Sequence, residues 1–511
     1  MRPSSRAISA RRGGVPQPST SIPPRIRVSN MLALLRLREH TPIEHIPMGR
    51  RVRQRRLQGE GAREPAVDRS TGIGEDGDRS DSEIFPEMTE MSEADRARDT
   101  AIAADLEDPH EILALILDPK RRGTLHPYLH RLREVAPILH TDQATGRPAW
   151  VLTRYAEIRD VLRRPDVRSD ERGADLFDVG PEGHHFVDMQ RNTLLFLSPR
   201  KHDHVRELIS RAFTPRAVEL RQERVQTVVD ELIDRLAPLG RMDFVHDFAF
   251  RLPMAVICEM LGVPPDDLPQ FYDWAQDSSR RAEIGGITDE IVSRGERATL
   301  GYADYFMKLI EDHRRAPRFD LMTALIDTRD EEGVGLSDED LVGGCYILLQ
   351  AGHGTTQDLL GMGILALLQR PEQLEFLRQT PEAIPTAVEE LLRFDTSVQI
   401  SQRVSDEPFQ LGDTTIGAGE VCVLFNGAAN RDPAMFADPD RLEIARTPNA
   451  HLSFGLGRHT CLGASLARLE IRTALETILR RLPDLRLDGD APHAYRDSLF
   501  LRGLDTLPLR F

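Results

Sequence analysis

The sequence predicts a mostly helical, α+β fold in which one large helical domain carries a small β-rich region. The prediction rests on three segments with strong helix signals. RAVELRQERVQTVVDELIDRLAPLG is amphipathic and ends in proline and glycine, which are helix stop signals. GLSDEDL places Ser337 as an N-cap with acids in the first turn, ahead of a long apolar helix. PEAIPTAVEELLRF enters a further helix through proline.

Strand-like segments are few and short. They are AWVLTR, EPFQLGDTTIGAGEVCVLF and the C-terminal TLPLRF. No apolar run reaches the roughly 18 residues that a membrane span needs. The nearest candidate is interrupted by His353, Gln357, Asp358 and several glycines, so we expect a buried helix there and no membrane association.

The composition of the 511 residues is that of an ordinary globular protein, with 40% hydrophobic and 29% charged residues. A formal net charge of -16 argues against general nucleic-acid binding, which needs a basic surface. The cysteines are widely separated and form no CxxC pair: Cys258, Cys345, Cys422 and Cys461. A disulfide framework is therefore not expected, and a reducing, cytoplasmic location is.

Residues 1–95 differ in composition from the rest of the chain. They begin rich in arginine, proline and serine and continue as an acidic, glycine-containing stretch. Because such a composition buries too little apolar surface to fold alone, we predict a disordered extension. Translated upstream sequence is one origin, since Met88 or Met91 precedes the first well-patterned segment, and a transit peptide is another. The folded domain is then expected over residues 96–511.

The segment SFGLGRHTCLGASLARLE, residues 453–470, concentrates glycines around one cysteine. Gly455 and Gly457 permit backbone turns that are closed to other residues. Cys461 stands just before an evident helix, where the helix dipole and unpaired amides favour the thiolate. A buried thiolate is a good ligand for a soft metal or a haem iron.

Three other interpretations of this loop are available from the residues alone. A dinucleotide-binding loop is disfavoured because Thr460 occupies the position of the third glycine. A structural zinc site would need about four ligands, and only His451, His459 and Cys461 lie close in sequence. An isolated cysteine is most often a small buried residue with no chemical role. That alternative therefore stays open beside a metal or haem ligand.

The same stretch resembles the haem-binding signature of the cytochrome P450 family at every position that the signature fixes. These positions are Phe454, Gly455, Gly457, His459, Cys461 and Gly463, followed by LARLE. The resemblance implies a cytochrome P450 fold, with haem b buried between a long distal helix and the cysteine loop. It further implies that Cys461 is the proximal thiolate ligand of the iron and that Phe454 and Gly463 shape the cofactor site.

Two further segments resemble family elements that support the cysteine loop. EELLR contains Glu390 and Arg393, which look like the ExxR pair, although this spacing also suits a surface ion pair. NRDPAMFADPDRLE resembles the loop that supplies a third basic residue, and Arg441 stands in that position. The resemblance implies a structural network of Glu390, Arg393 and Arg441 behind the haem.

A helix that covers a haem propionate is suggested by SPRKHDHVRELISRAFTP. His202 and Arg206 lie four positions apart and therefore share one helix face. Within the resemblance these two residues, together with Arg403 and His459, are expected to bind the propionates. Buried carboxylates need such partners because an unpaired buried charge is costly.

The distal segment LLQAGHGTTQDL resembles the oxygen-binding part of the family's long helix. The resemblance makes Thr355 the residue that supports proton delivery, but the acid that the family usually places before it is replaced by Gly354. Asp358 follows on the same helix face, so our hypothesis is that water held by Thr355 and reached through Asp358 delivers protons. Peroxide use or oxidative coupling is an alternative. Ser397, where a proline is common, is a smaller departure.

The resemblance implies a haem-thiolate monooxygenase that activates O2 with two supplied electrons and oxidises, most simply hydroxylates, a hydrophobic small molecule. The pocket walls are expected around residues 180–195, 265–300, 348–352 and 398–401. The substrate itself is not encoded in any readable pattern. A non-catalytic haem sensor is the second hypothesis, and Gly354 keeps it open.

Electrons are expected from a ferredoxin and its reductase, because the chain continues from Cys461 only to Phe511. Four arginines cluster in sequence around the cysteine loop: Arg446, Arg458, Arg468 and Arg472. They either form a basic patch for an acidic ferredoxin or belong to a solvated face.

Overall fold

The computed structural model describes residues 93–180, 183–283 and 287–511. Most of the predicted N-terminal extension, residues 1–92, lies outside the described residues, and its disorder stays a prediction. Within the described part, helices dominate and the strands are short, so the predicted fold class is confirmed.

The helices follow one another along the whole described chain. They are α1 (Glu93–Asp105), α2 (Pro109–Leu117), α3 (Leu125–Val135), α4 (Tyr155–Arg163), α5 (Glu171–Ala174), α6 (His184–Arg191), α7 (Pro199–Ala212), α8 (Pro215–Glu219), α9 (Gln222–Leu236), α10 (Arg251–Met260), α11 (Leu268–Arg281), α12 (Asp289–Arg315), α13 (Leu321–Asp327), α14 (Asp338–Leu368), α15 (Pro371–Gln379), α16 (Ile384–Phe394), α17 (Asn426–Ala429) and α18 (Ala464–Arg481).

The strands are β1 (Ile138–Thr141), β2 (Ala149–Leu152), β3 (Val167–Arg168), β4 (Arg241–Asp243), β5 (Ile400–Ser405), β6 (Phe409–Leu411), β7 (Thr414–Ile416), β8 (Val421–Phe425), β9 (Arg486–Leu487), β10 (Ala494–Tyr495), β11 (Leu504–Thr506) and β12 (Pro508–Arg510). The largest sheet has the order β1-β2-β8-β5-β3, and smaller sheets pair β4-β12-β9, β6-β7 and β10-β11. Strands β2 and β8 run parallel, whereas β5 pairs antiparallel to β8.

Helix α14 runs through the centre of the helical domain. Ser337 caps it as predicted: its hydroxyl accepts from the amide of Asp340, and the Asp340 carboxylate accepts from the amide of Ser337. The helix packs against α10, α12, α16 and α18 and is buried along most of its length. No described helix is both long and apolar enough to cross a membrane.

One predicted helix is broken in the structure. The segment read as continuous from Arg216 onward forms α8 and α9, separated at Leu220 and Arg221. Leu220 is exposed and Arg221 precedes a new helix start, although α8 and α9 both pack against α18. Periodicity alone does not reveal such a break.

Candidate functional site

The loop before α18 is held by its own backbone. The amide of Gly455 donates to the carbonyl of Leu452 (2.9 Å), and the amide of Cys461 donates to the carbonyl of Phe454 (2.8 Å). Gly457 has a φ of 71°, and a Cβ there would lie 2.4 Å from the carbonyl oxygen of Leu162. Only glycine fits this close approach, which seats the loop on the end of α4.

Cys461 differs from the other three cysteines. Its side chain is exposed, whereas Cys258, Cys345 and Cys422 are buried, and all four are free thiols. The protein around Cys461 raises the pKa of its thiol by excluding water, while the backbone amide of Gly463 and the guanidinium of Arg206 lower it. An accessible sulfur with amide and cationic neighbours is the arrangement that a thiolate ligand needs.

Four basic side chains converge beside this loop from three separate elements. His202 and Arg206 lie on α7, Arg403 on β5 and His459 in the loop itself. The rings of His202 and His459 are 4.4 Å apart. The guanidinium of Arg206 donates to the carbonyl of Thr460 (2.5 Å). The guanidinium of Arg403 donates to the carbonyl of Gln402 (2.6 Å), so both arginines meet carbonyls rather than carboxylates. We call His202, Arg206, Arg403 and His459 the cationic cradle.

The electrostatics of the cationic cradle indicate an anionic ligand. Burial lowers the pKa of Arg403 to about 10. Burial, together with Arg403 and His202, lowers the pKa of His459 to about 2. His202 is 1% exposed, and its Nε2 atom has no hydrogen-bond partner among the described residues. The buried guanidinium of Arg403 and the orphaned Nε2 atom of His202 are costly, and a bound carboxylate would relieve both.

Behind the loop, Glu390 forms the centre of a fully buried ion-pair network. Its oxygens accept from Nε and Nη2 of Arg393 at 2.7 and 2.8 Å, and from Nε of Arg446 at 3.2 Å. The amide of Glu443 and the side chain of Asn449 donate to the same carboxylate. Glu390 and Arg393 have no exposed side-chain surface, so this network is a rigid support rather than a surface pair.

Arg468 links the same support to the protein surface. Its guanidinium makes a two-pronged contact with the carboxylate of Glu389 (2.7 and 2.8 Å) and lies 4.5 Å above the ring of Phe454. The imidazole of His451 bonds the other side of Glu389 at 3.1 Å. Phe454 thereby packs under a cation at the edge of the cysteine loop.

On the distal helix, Thr355 is half-buried. Its hydroxyl donates to the carbonyl of Ala351 (2.8 Å), and its own carbonyl accepts from the hydroxyl of Ser397 (2.7 Å). At Gly354, one position before, a Cβ would meet no atom within 4 Å. The helix therefore has open space where the family usually places an acid.

Asp358 lies one turn further along α14 and is 1% exposed. Its carboxylate faces Arg496, with Nη1 and Nη2 at 3.1 and 3.0 Å. It also lies against Gly503, where a Cβ would be 2.1 Å from Oδ1. The structure thus brings Asp358 to the C-terminal segment, and its hydrogen bonds do not include Thr355.

Comparisons with known proteins agree on one family. The family model described as Cytochrome P450 matches residues 284–493. The biotin biosynthesis cytochrome P450 of Bacillus subtilis is 36% identical over 386 residues, which is 76% of this chain and 96% of that protein. This chain belongs to the cytochrome P450 family. The 6-deoxyerythronolide B hydroxylase of Saccharopolyspora erythraea is 35% identical over 74% of this chain and 94% of that protein.

Solved P450 structures match the architecture as well. P450BioI, solved with a fatty-acyl-loaded acyl carrier protein, superimposes with a TM-score of 0.71 at 35% identity and covers 77% of this chain and 99% of that chain. The myxobacterial CYP267B1, solved with myristic acid, gives a TM-score of 0.70 at 34% identity and covers 78% and 98% of the two chains. The predicted P450 fold and the prediction of an oxidoreductase enzyme are confirmed.

P450s bind haem b through a cysteine thiolate, and the residues of this chain fit that group. Cys461 offers the accessible sulfur, and the cationic cradle offers two guanidiniums, of Arg206 and Arg403, that bond to carbonyls rather than to carboxylates. Two propionates are the anions for which such a cradle is suited. His202, Arg206, Arg403 and His459 therefore lie together as the sequence predicts, and their contact with propionate remains a proposal.

The structure corrects two predictions about arginines. The third basic residue of the ExxR network is Arg446 and not Arg441. Arg441 is exposed and takes part only through its carbonyl, which accepts from Arg393 at 3.2 Å. Consequently Arg446 is buried and is not part of a surface patch, whereas Arg458, Arg468 and Arg472 keep exposed side-chain surface.

Two residues of the distal side carry more weight than the sequence suggested. Ser397 fixes the backbone of Thr355 through a hydrogen bond to its carbonyl. One sign of this role was visible in the sequence, because a serine stands at a position where proline is common in the family. Arg496 partners Asp358 across 138 residues, and no local pattern in the C-terminal segment points to that contact.

Proposed function

We propose that this P450 is a monooxygenase that oxidises, most simply hydroxylates, a C–H bond of a hydrophobic small molecule with O2 and two electrons from a separate protein. The main support is the combination of an accessible thiol at Cys461 with a distal helix that carries Thr355 beside open space. Haem b, bound at Cys461, supplies the O2 activation. The relatives named as a biotin biosynthesis P450 and as a 6-deoxyerythronolide B hydroxylase support a biosynthetic substrate, and the structure solved with myristic acid supports a hydrophobic one.

Each part of the site has a task that follows from its contacts. The cationic cradle binds and orients the two propionates. The loop amides around Cys461 hold the sulfur as thiolate and shield it from reaction. The Thr355 hydroxyl donates its hydrogen to the carbonyl of Ala351, so its oxygen is free to accept a hydrogen bond from a water molecule and to hold that water as a proton carrier. Ser397 keeps Thr355 in place, and Asp358 is the proposed acid of the relay.

Electron supply is proposed to come from a ferredoxin and its reductase in the cytoplasm. Free cysteines suit a reducing compartment. The docking face is proposed around Arg458, Arg468 and Arg472, whose side chains are 33, 42 and 40% exposed. Arg468 is held tightly by Glu389, whereas Arg458 and Arg472 have only looser carboxylate partners, Asp203 at 3.5 Å and Glu476 at 4.0 Å. The steering charge is therefore expected mainly from Arg458 and Arg472.

Charge reversal tests this face. Arg458→Glu and Arg472→Glu should slow reduction by an acidic ferredoxin and weaken its dependence on salt. Arg315→Glu, at the exposed end of α12, is the matched control and should change neither quantity. Equal reduction rates in all three variants would remove this docking face.

The function itself is tested by the absorption spectrum of the dithionite-reduced protein with CO, followed by turnover with fatty acids and macrolactones. A strongly red-shifted Soret band, lost in Cys461→Ser, together with a hydroxylated product that requires O2 and reductant, supports the proposal. A haem spectrum without that shift would favour the sensor hypothesis, which Gly354 keeps in view. Failure to bind haem would contradict the whole proposal.

A further inference from the structure

The N-terminal end of helix α6 is capped by a carboxylate from another helix. The first amides of a helix have no partner within that helix. In α6 the side chain of Glu296, which lies on α12, supplies the missing acceptors. Its Oε2 accepts from the amide of His185 at 2.9 Å, and its Oε1 accepts from the amide of Phe186 at 3.0 Å. Glu296 is buried, so water does not compete strongly for these bonds and α12 fixes the start of α6.

Arg281, the last residue of α11, holds the same end of α6 from a second helix. Its guanidinium donates to the carbonyl of Phe177 at 2.8 Å and lies 4.8 Å from the centre of the Phe186 ring. Two glycines make room for this side chain. A Cβ at Gly183 would be 2.9 Å from its Nη2 atom, and a Cβ at Gly295 would be 2.5 Å from its Cβ atom. The start of α6 is thus held by α11 as well as by α12.

The other end of α6 rests on the distal helix α14. The backbone carbonyl of Asn192, which follows α6 directly, leaves no room for a Cβ at Gly343. The side chain of Gln190 donates to the hydroxyl of Tyr346 at 3.4 Å. Both Gly343 and Tyr346 belong to α14, the helix that carries Thr355. Helix α6 therefore spans from α11 and α12 to the distal side of the site, and both of its ends are fixed.

Arg281 is a poor choice of residue if its only task is stability. It has no exposed surface, and its Nε atom has no hydrogen-bond partner among the described residues. Arg393 is equally buried but donates through all three of its nitrogens. An under-satisfied buried guanidinium lowers stability, and an apolar side chain of similar volume would pack at less cost. What the guanidinium adds is direction, because only a donor can fix the carbonyl of Phe177.

We propose that Glu296 and Arg281, which we call the α6 clamp, are positioning residues that hold α6 in place as a wall of the substrate pocket. A wall that is already ordered lets a bulky ligand bind without the entropic cost of ordering α6. A ligand as small as imidazole needs no such wall. This inference rests on the proposed monooxygenase function and on the pocket wall expected at residues 180–195, and it identifies the side chains that position that wall.

The test compares Glu296→Gln and Arg281→Met with Glu420→Gln in the haem-loaded enzyme. Glu420, next to β8, is the matched control because its carboxylate accepts from the amide of Gly417 and from the indole of Trp150, both at 2.6 Å. Shifts of the Soret band give the dissociation constants of imidazole and of the bulky azole clotrimazole. Both clamp variants should bind clotrimazole about 10-fold more weakly and imidazole as wild type does. Glu420→Gln should change neither constant.

Hydrogen exchange gives a second readout that needs neither turnover nor a ligand. Glutamine at position 296 offers one acceptor oxygen for two amides, so the amides of His185 and Phe186 should exchange about 10-fold faster in Glu296→Gln. The amides of α18 should be unchanged. Arg281→Lys keeps a cation near Phe186 and should recover part of the clotrimazole affinity that Arg281→Met loses. A general loss of stability would instead weaken the binding of both azoles together and would count against a positioning role.

The inference is overturned if the clamp variants keep the wild-type ratio of clotrimazole to imidazole affinity, or if the exchange of the His185 and Phe186 amides stays the same. Either result leaves the monooxygenase proposal intact. A wild type that binds both azoles but forms no O2-dependent product contradicts the proposed function and leaves the α6 clamp in place. If Glu296→Gln fails to fold, Arg281→Met and Arg281→Lys decide the matter by the same two measurements.

Discussion

Two buried carboxylates on opposite sides of the haem site have very different hydrogen-bond environments. Glu390 receives hydrogen bonds from Arg393, Arg446, Glu443 and Asn449 on both oxygens. Asp358 receives one well-aligned bond, from Arg496. The Glu390 network is a rigid support whose charge is fixed by its partners, whereas one oxygen of Asp358 keeps the capacity to accept a proton. Both carboxylates are buried, and they differ in how many hydrogen bonds their oxygens accept.

The strongest test of this contrast removes each charge without changing side-chain shape. Glu390→Gln leaves two buried guanidiniums without a carboxylate, which should cost about 3–5 kcal/mol in the free energy of unfolding and abolish stable haem retention. Asp358→Asn should cost clearly less, because its single arginine keeps Asp505 nearby. Denaturant unfolding of both variants measures the difference, and equal losses would mean that the two networks do not differ.

Substitution can identify which arginine completes the Glu390 network. Arg446→Ala should destabilise the protein by several kcal/mol because Glu390 loses a buried partner. Arg441→Ala should stay within about 0.5 kcal/mol, since that side chain is exposed. Thermal unfolding of the two variants measures this, and a reversed order would restore Arg441 as the third member.

The contributions of Glu389 and Asp358 to stability should change with pH in opposite directions. Burial opposes ionisation of Glu389, but Arg468 and His451 outweigh it and lower its pKa from 4.5 to about 2. Its contribution to stability is therefore present above pH 4.5 and is lost as pH falls toward 2. The pKa of Asp358 is raised from 3.8 to about 6, so its contribution is full below pH 3.8 and is lost as pH rises through 6.

Unfolding midpoints of Glu389→Gln and Asp358→Asn, each compared with wild type across this range, provide the measurement. The difference from wild type should shrink on acidification for Glu389→Gln. For Asp358→Asn, the variant should gain on the wild type as pH rises from 3.8 to 6. Parallel curves for both variants would show that neither carboxyl is shifted as described.

A small gain in stability is expected at Gly354. A glycine inside a helix costs about 0.5–1 kcal/mol relative to alanine, and the space around its Cβ position is open. Gly354→Ala should therefore raise the free energy of unfolding by about that amount. Gly363→Ala, where a Cβ would meet Leu391 at 3.2 Å, is the comparison and should gain less. A loss of stability in Gly354→Ala would mean that the groove is closed.

Features whose residues are close together in the sequence could be predicted, and features that depend on residues far apart in the chain could not. The Cys461 loop was predicted from its resemblance to the family signature, whose residues are contiguous in the sequence; the residues alone left a small buried cysteine open as an alternative. The assignment of Arg441 to the network was wrong because the folding of the loop, and not the spacing, turns the guanidinium of Arg446 inward. The partnership of Arg496 with Asp358 was missed because it exists only in tertiary structure. The break between α8 and α9 escaped periodicity for the same reason.

The cationic cradle has a consequence for biosynthesis. Its members come from α7, from β5 and from the loop that ends at Cys461, so the last of them is made only after nine-tenths of the chain. Until then His202, Arg206 and Arg403 have neither their neighbour His459 nor the thiol beside it. If the cationic cradle binds the propionates as proposed, the cofactor site is complete only after His459 and Cys461 have been made.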